Sequence, residues 1–304
     1  MKIINNLFKW FNKKQQKHTF LAFVIAVIKK YNDDSAGTQA ALLTYYSFLS
    51  IFPLLLVLTT ITDTVIAHDA GLRSTIIKGL TNYFPLLGGQ LASHVHRLHA
   101  DGFALVSGLL LTIYGTRGLA NSFVNGVQNI WLIPKKDRIG FPKTYIKSFE
   151  IIFVGGTGLL LASIIASLAS SSGHGFLFKL IAFIVNLALL TGIFIFLLNF
   201  SLPKHVKVGD VKSGALVAAV GLLILQYLGG YLLAHELKHL NALYSYFALS
   251  LGLLFWLYVQ SQVLYYSIEV TVVGARKFWP RSLDNNNLTE IDEKLAILTS
   301  QARS

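Results

Sequence analysis

The 304-residue sequence contains no cysteine. Disulfides, thiolate metal sites and cysteine nucleophiles are therefore excluded. Charge is also scarce. Asp, Glu, Lys and Arg make up 13% of the chain, where an ordinary soluble domain has about 25%. Acidic residues are the rarer kind, 14 against 26 basic ones, for a formal net charge of +12. No Walker A pattern, Gly-rich dinucleotide fingerprint or G-x-S-x-G elbow occurs. An ATP-driven pump or a nucleotide-dependent enzyme would need another chain.

What is present is apolar. Hydrophobic residues are 54% of the chain and the mean hydropathy is +0.58. Runs free of Asp, Glu, Lys and Arg cover 35–62, 102–116, 118–134, 151–178, 180–203, 213–235 and 241–268. About 20 apolar residues cross a bilayer as a helix. The pattern predicts an all-α, polytopic membrane protein with six transmembrane helices, near 38–62, 103–130, 146–170, 177–200, 212–234 and 243–274.

Basic residues set the expected orientation. Twenty Lys and Arg fall before the first span, after the second and fourth, and in the tail, against five on the opposite side. Both termini are then cytoplasmic. The domain reading is a basic amphipathic segment at 1–37, a six-helix membrane domain at 38–275 with an external helical loop at 63–102, and a cytoplasmic tail at 276–304. Ile3, Ile4, Leu7, Phe8, Trp10 and Phe11 alternate with lysines. That predicts an interfacial amphipathic helix on the inner leaflet. Anionic lipid headgroups at the cytoplasmic face are the expected partners. The basic loops carry no nucleic-acid fold or aromatic platform, so no nucleic acid is expected.

Ionisable groups inside a span are functional candidates by default. Arg117, Glu150 and Glu269 meet that description. Arg117, Asn121, Asn125 and Gln128 share one face of the second span, and Tyr258, Gln262, Tyr265 and Glu269 share one face of the sixth. The two faces are expected to meet, with Arg117 paired to Glu269. Arg117, Asn121, Asn125, Tyr258, Gln262 and Glu269 then line a polar cavity in the inner-leaflet half. The competing reading is that these groups only glue helices together.

One motif points toward an enzyme. His235-Glu236-Leu237-Lys238-His239 matches H-E-x-x-H, the zinc-peptidase spacing. It sits at the outer end of the fifth span, and no later His supplies a third ligand. No catalytic residue, cofactor or resident metal is assigned, and a metallohydrolase at this external site ranks below the alternatives.

Several stretches carry a family resemblance. They are Ala40-Ala41-Leu42-Leu43-Thr44-Tyr45-Tyr46-Ser47-Phe48-Leu49-Ser50-Ile51-Phe52-Pro53, then Asn129-Ile130-Trp131, Leu202-Pro203 leading to Gly214-Ala215, Phe255-Trp256-Leu257-Tyr258 and Ser267-Ile268-Glu269. Over about residues 20 to 275 the chain resembles the YihY/BrkB family of bacterial inner-membrane proteins. The resemblance implies six helices with both termini inside, in the bacterial cell membrane. Members once carried a tRNA-processing ribonuclease label, regarded as a misassignment. Others are called virulence or serum-resistance factors, and some are suspected of moving envelope lipids. The functional expectation is a non-ATPase transporter or lipid-translocation protein. The alternative is a structural envelope protein acting as a homo-oligomer or through a protein partner.

Overall fold

A computed structural model describes residues 12, 14–65, 102–138, 143–170, 175–236, 242–284 and 287–303. Among them there is no strand. The helices are α1 (Thr19–Asp33), α2 (Ala36–Val65), α3 (Gly102–Ile130), α4 (Lys143–Ser170), α5 (Phe176–Ser201), α6 (Val208–Glu236), α7 (Ala242–Arg276) and α8 (Glu290–Arg303). A single 3-10 turn, Lys135–Asp137, follows α3. Helices α2 to α7 coincide with the six expected segments to within a few residues. The amphipathic segment at 3–11 and most of the loop at 63–102 lie outside the described residues.

Helix α5 shows why this chain needs an apolar solvent. Its buried residues Ala182, Asn186, Leu190, Ile193, Phe194, Leu198 and Ser201 form one stripe at helical spacing. The other side is equally apolar but open, with Phe176 78%, Ile181 60% and Ile184 54% exposed. Only 28% of its most apolar stretch is buried. A soluble core helix of that composition would be mostly covered. Among the described residues, α5 and the Val208–Gly229 part of α6 are long and apolar enough to cross a membrane.

Neighbouring helices pack as hairpins, and close approaches fix their register. Ser50 and Tyr46 of α2 abut Gly115 and Gly118 of α3. Helix α4 meets α5 through Gly158 and Ile193, and α6 meets α7 through Gly214 and the Ser267 carbonyl. Helices α3 and α7 run parallel, with Tyr265 seated on Gly126. The two also end alike. Leu132 and Lys277 adopt left-handed backbone, with φ of 52° and 54°. Each lets the following amide reach back into its helix, Ile133 to the Gln128 carbonyl and Phe278 to the Val273 carbonyl, at 3.0 and 3.1 Å. This is a helix-terminating motif that usually employs glycine. Here it directs the apolar residues Ile133 and Phe278 into the core, 1% and 2% exposed.

Helix α1 is separate from α2. Asp34 and Ser35 turn the chain, with Ser35 at φ 52°. It buries Ala22, Ala26, Val27, Lys30 and Tyr31. Helix α8 starts with a reciprocal cap. The Asp292 amide donates to the Thr289 hydroxyl, and the Thr289 amide donates to the Asp292 carboxylate.

Candidate functional site

The feature that stands out is a cluster of buried charges between α1, α3 and α7. Lys30 projects from the last turn of α1. Its ammonium donates to the Ile130 carbonyl at 2.8 Å, bonds the Asp34 carboxylate, and lies 3.3 Å from Glu269 Oε2. The Lys30, Glu269 and Asp34 side chains are 1%, 0% and 9% exposed. The Lys30–Glu269 approach lacks hydrogen-bond alignment, so neither Glu269 oxygen accepts a hydrogen bond among the described residues. Burial pushes the Asp34 carboxyl up, and the Lys30 ammonium pulls against that shift.

One turn away, the Tyr31 hydroxyl donates to Gln262, and the Tyr31 ring stacks on Tyr266 at 4.0 Å and 6°. Burial, with smaller contributions from Tyr266 and Tyr258, pushes the Tyr31 phenol up to about 12. Helix α1 thus covers the polar face of α7 that the sequence pattern identified.

The expected Arg117–Glu269 pair is not formed, because Glu269 is taken by Lys30. The cause is register. The Tyr265 hydroxyl reaches the Ser122 carbonyl and lies over Gly126, which sets Glu269 level with Ile130. Arg117 is thirteen residues earlier on α3, about 20 Å at 1.5 Å per residue, level with Trp256. Nor do the six candidate residues converge on one point. Gln262 and Glu269 turn to α1. Asn121 turns to α4, where it accepts a hydrogen bond from Ser148 at 3.1 Å. Gln128 donates to the Ser201 carbonyl of α5. Arg117 is half-buried, and Asn125 and Tyr258 are exposed. By helical spacing Asn125 falls between the side of Gly118 that meets α2 and the side of Asn121 that meets α4. Arg117, Asn121 and Asn125 therefore form a polar strip on α3, distinct from the buried cluster. Glu150 is exposed.

Sequence reasoning missed Lys30, counted only among the basic residues before the first span, and Asp34, which entered no flank count. Their signal was the i, i+4 spacing at the end of an apolar helix. A second missed network ties the tail to α1. Asp292 accepts from Lys29 at 3.0 Å, Arg281 at 2.8 Å and the Ser282 amide at 2.9 Å. Burial alone would raise the Asp292 carboxyl. The Ser282, Thr289 and Lys29 hydrogen bonds outweigh it and hold the group well below the usual carboxylate range. Adjacent lysines thus face opposite ways, Lys29 to the tail and Lys30 to the bundle. The H-E-x-x-H stretch begins at the end of α6 with His235 and Glu236 and continues into 237–239, outside the described residues. No group of three possible metal ligands occurs among the described residues.

The chain matches the family described as virulence factor BrkB over residues 27–291, a span containing Lys30, Asp34, Arg117 and Glu269. It is 25% identical to a UPF0761 membrane protein of Psychrobacter sp. (strain PRwf-1), over 87% of this chain and 51% of that protein. It is likewise 25% identical to a UPF0761 membrane protein of Vibrio vulnificus (strain YJ016), over 92% of each. The chain thus spans about half the length of the Psychrobacter relative. No solved structure matches. With a family match running from α1 to the start of α8, and relatives named as membrane proteins, this chain belongs to the BrkB family of membrane proteins.

Proposed function

We propose that this protein is a six-span bundle of the bacterial inner membrane, both termini cytoplasmic, that translocates lipid without ATP and is not an enzyme. The carrying observation is the strip Arg117–Asn121–Asn125. It runs along a largely apolar helix and reaches an exposed position at Asn125. Polar side chains facing hydrocarbon are costly. A strip that reaches an exposed position offers a headgroup a polar track while its acyl chains stay in the bilayer. Arg117 is the group suited to a lipid phosphate, through charge and paired N–H donors. Asn121 and Asn125 extend the track by two turns. Gln262 and Glu269 belong to the α1 contact and serve the bundle's cytoplasmic end instead.

The test is lipid exchange in liposomes holding the purified protein, read by leaflet-selective quenching of labelled anionic and neutral lipids. Wild type is expected to accelerate exchange of anionic lipid. Arg117→Gln is expected to lose that acceleration while eluting and melting like wild type. Equal exchange by a folded Arg117→Gln protein would remove the strip from the mechanism. No exchange by wild type would favour the anchoring alternative.

A further inference from the structure

The buried cluster is unbalanced. Asp34 and Glu269 bring two carboxyls, and Lys30 brings one ammonium. With all three ionised, a nearly dry site would hold one net negative charge. An uncompensated buried ion costs several kcal/mol even after relaxation. The other neighbours do not supply the missing positive charge. Tyr31 and the Ile130 carbonyl are neutral. Tyr265, Tyr266 and Gln262 on α7 are neutral as well. Helix α2 has no charged side chain before Asp63. Helix α6 has Asp210 and Lys212 in its first turns, with Lys212 exposed. Arg281 acts on Asp34 only from a distance, being engaged by Asp33 at 2.8 Å and by Asp292 at 2.8 Å, and Arg276 of α7 lies over the Trp131 ring.

Hydrogen bonding points the same way. Both Glu269 oxygens lack an aligned donor, and the Asp34 and Glu269 carboxyls close on the same Lys30 ammonium. Two carboxylates that close repel, whereas a carboxyl and a carboxylate share a strong hydrogen bond. One proton satisfies the charge count and engages one of the two orphaned oxygens.

We propose that Asp34 and Glu269 together bind one proton, with Lys30 balancing the remaining negative charge, so that this cluster is a proton-binding site joining α1 to α7. The ligand comes from the cytoplasmic end, where Asp34 is 9% exposed and Glu269 is closed off. The elevated Asp34 carboxyl agrees with this arrangement. Release of the proton would leave two like charges between α1 and α7 and loosen that contact. The inference rests on the cluster's geometry alone and stands whether or not the α3 strip moves lipid.

The experiment is infrared spectroscopy of the purified full-length protein at neutral pH, in water and in heavy water. Exposed carboxylates are ionised there, so a carbonyl band of a protonated carboxyl reports a buried acid. Wild type is expected to show one such band, shifting in heavy water and titrating away as pH rises. Glu269→Gln and Asp34→Asn each leave one carboxylate opposite Lys30, a balanced pair, so each is expected to lose the band. Lys30→Met removes the ammonium and is expected to keep or enlarge it. Absence of the band in wild type would overturn the proposal. So would its survival in either carboxyl variant, since that places the proton elsewhere or on one residue independently of the other. Thermal melting of each variant identifies any that fail to fold, and the two carboxyl variants check each other.

Discussion

The Lys30 ammonium lies 3.3 Å from the Glu269 carboxylate, with the two side chains 1% and 0% exposed. The residues are far apart in sequence, and their contact holds α1 against the end of the bundle. Burying an ammonium is tolerated only when its donors are occupied. Lys30 donates to Asp34 and the Ile130 carbonyl and faces Glu269 as an ion pair.

Lys30→Met should therefore destabilise the protein by about 3 kcal/mol, the lower end of the cost of breaking a buried pair. A stranded carboxyl can take up a proton, which limits the loss. Glu269→Gln should cost less, because Lys30 keeps Asp34 and the Ile130 carbonyl. Thermal unfolding in detergent compares them. Equal stability of Lys30→Met and wild type would mean that α1 contributes little to the fold.

The Asp292 network predicts a pH-dependent tail. Its carboxyl is held below its unfolded value, so the stabilisation is present above about pH 4 and is lost as pH falls toward the folded value. The protection of amides across 290–303, taken relative to their intrinsic exchange at each pH, should stay high from neutral pH down to about 4 and fall below. Asp292→Asn should show low protection throughout, with docking weakened by about 1.5–3 kcal/mol, the worth of hydrogen bonds to a charged group. Tail protection unchanged by the substitution would show that apolar contacts of Leu295 and Ala302 alone hold α8.

Gly126 fixes the α3–α7 register that separates Arg117 from Glu269, and Gly214 fixes the approach of α6 to α7. A Cβ at Gly126 would lie 2.6 Å from Tyr265 Cε1, and Tyr265 is fully buried. At Gly214 it would strike the Ser267 backbone oxygen, which cannot rotate away. Gly126→Ala and Gly214→Ala should each cost about 1–3 kcal/mol by overpacking. Gly156 has nothing within 4 Å of the same position. Gly156→Ala should be neutral or gain up to about 1 kcal/mol from helix propensity. Melting temperatures of the three variants decide whether these approaches are as tight as the geometry states.

The six long helices were legible because charge-free runs report where a chain must avoid water. Their ends were less legible. Leu132 and Lys277 terminate α3 and α7 without the glycine that usually marks such a stop. The polar ladder of α7 was legible from its spacing, but its partner was not. Depth estimated from span boundaries put Arg117 and Glu269 in one layer. The seating of Tyr265 on Gly126 sets them several turns apart, and no count along a single helix contains that information. Lys29 and Lys30 look alike in sequence. Only the packing of α1 shows that one faces the tail and the other the core.

Tyr31 provides the last test of the α1–α7 contact. Its hydroxyl donates to Gln262 while its ring stacks on Tyr266. Tyr31→Phe keeps the stack and loses the donor, an expected cost of about 1 kcal/mol. Tyr31→Ala also loses the aromatic pair, worth about 0.5–1.5 kcal/mol beyond its buried area. The two contributions also separate by pH. The folded phenol is raised from its ordinary value to about 12. Its stabilisation is complete below the unfolded value near 10 and is lost as pH rises through the folded one. Wild type should thus lose stability between about pH 10 and 12 more steeply than Tyr31→Phe. Parallel alkaline profiles would mean that the Tyr31 proton is not held by the α1–α7 contact.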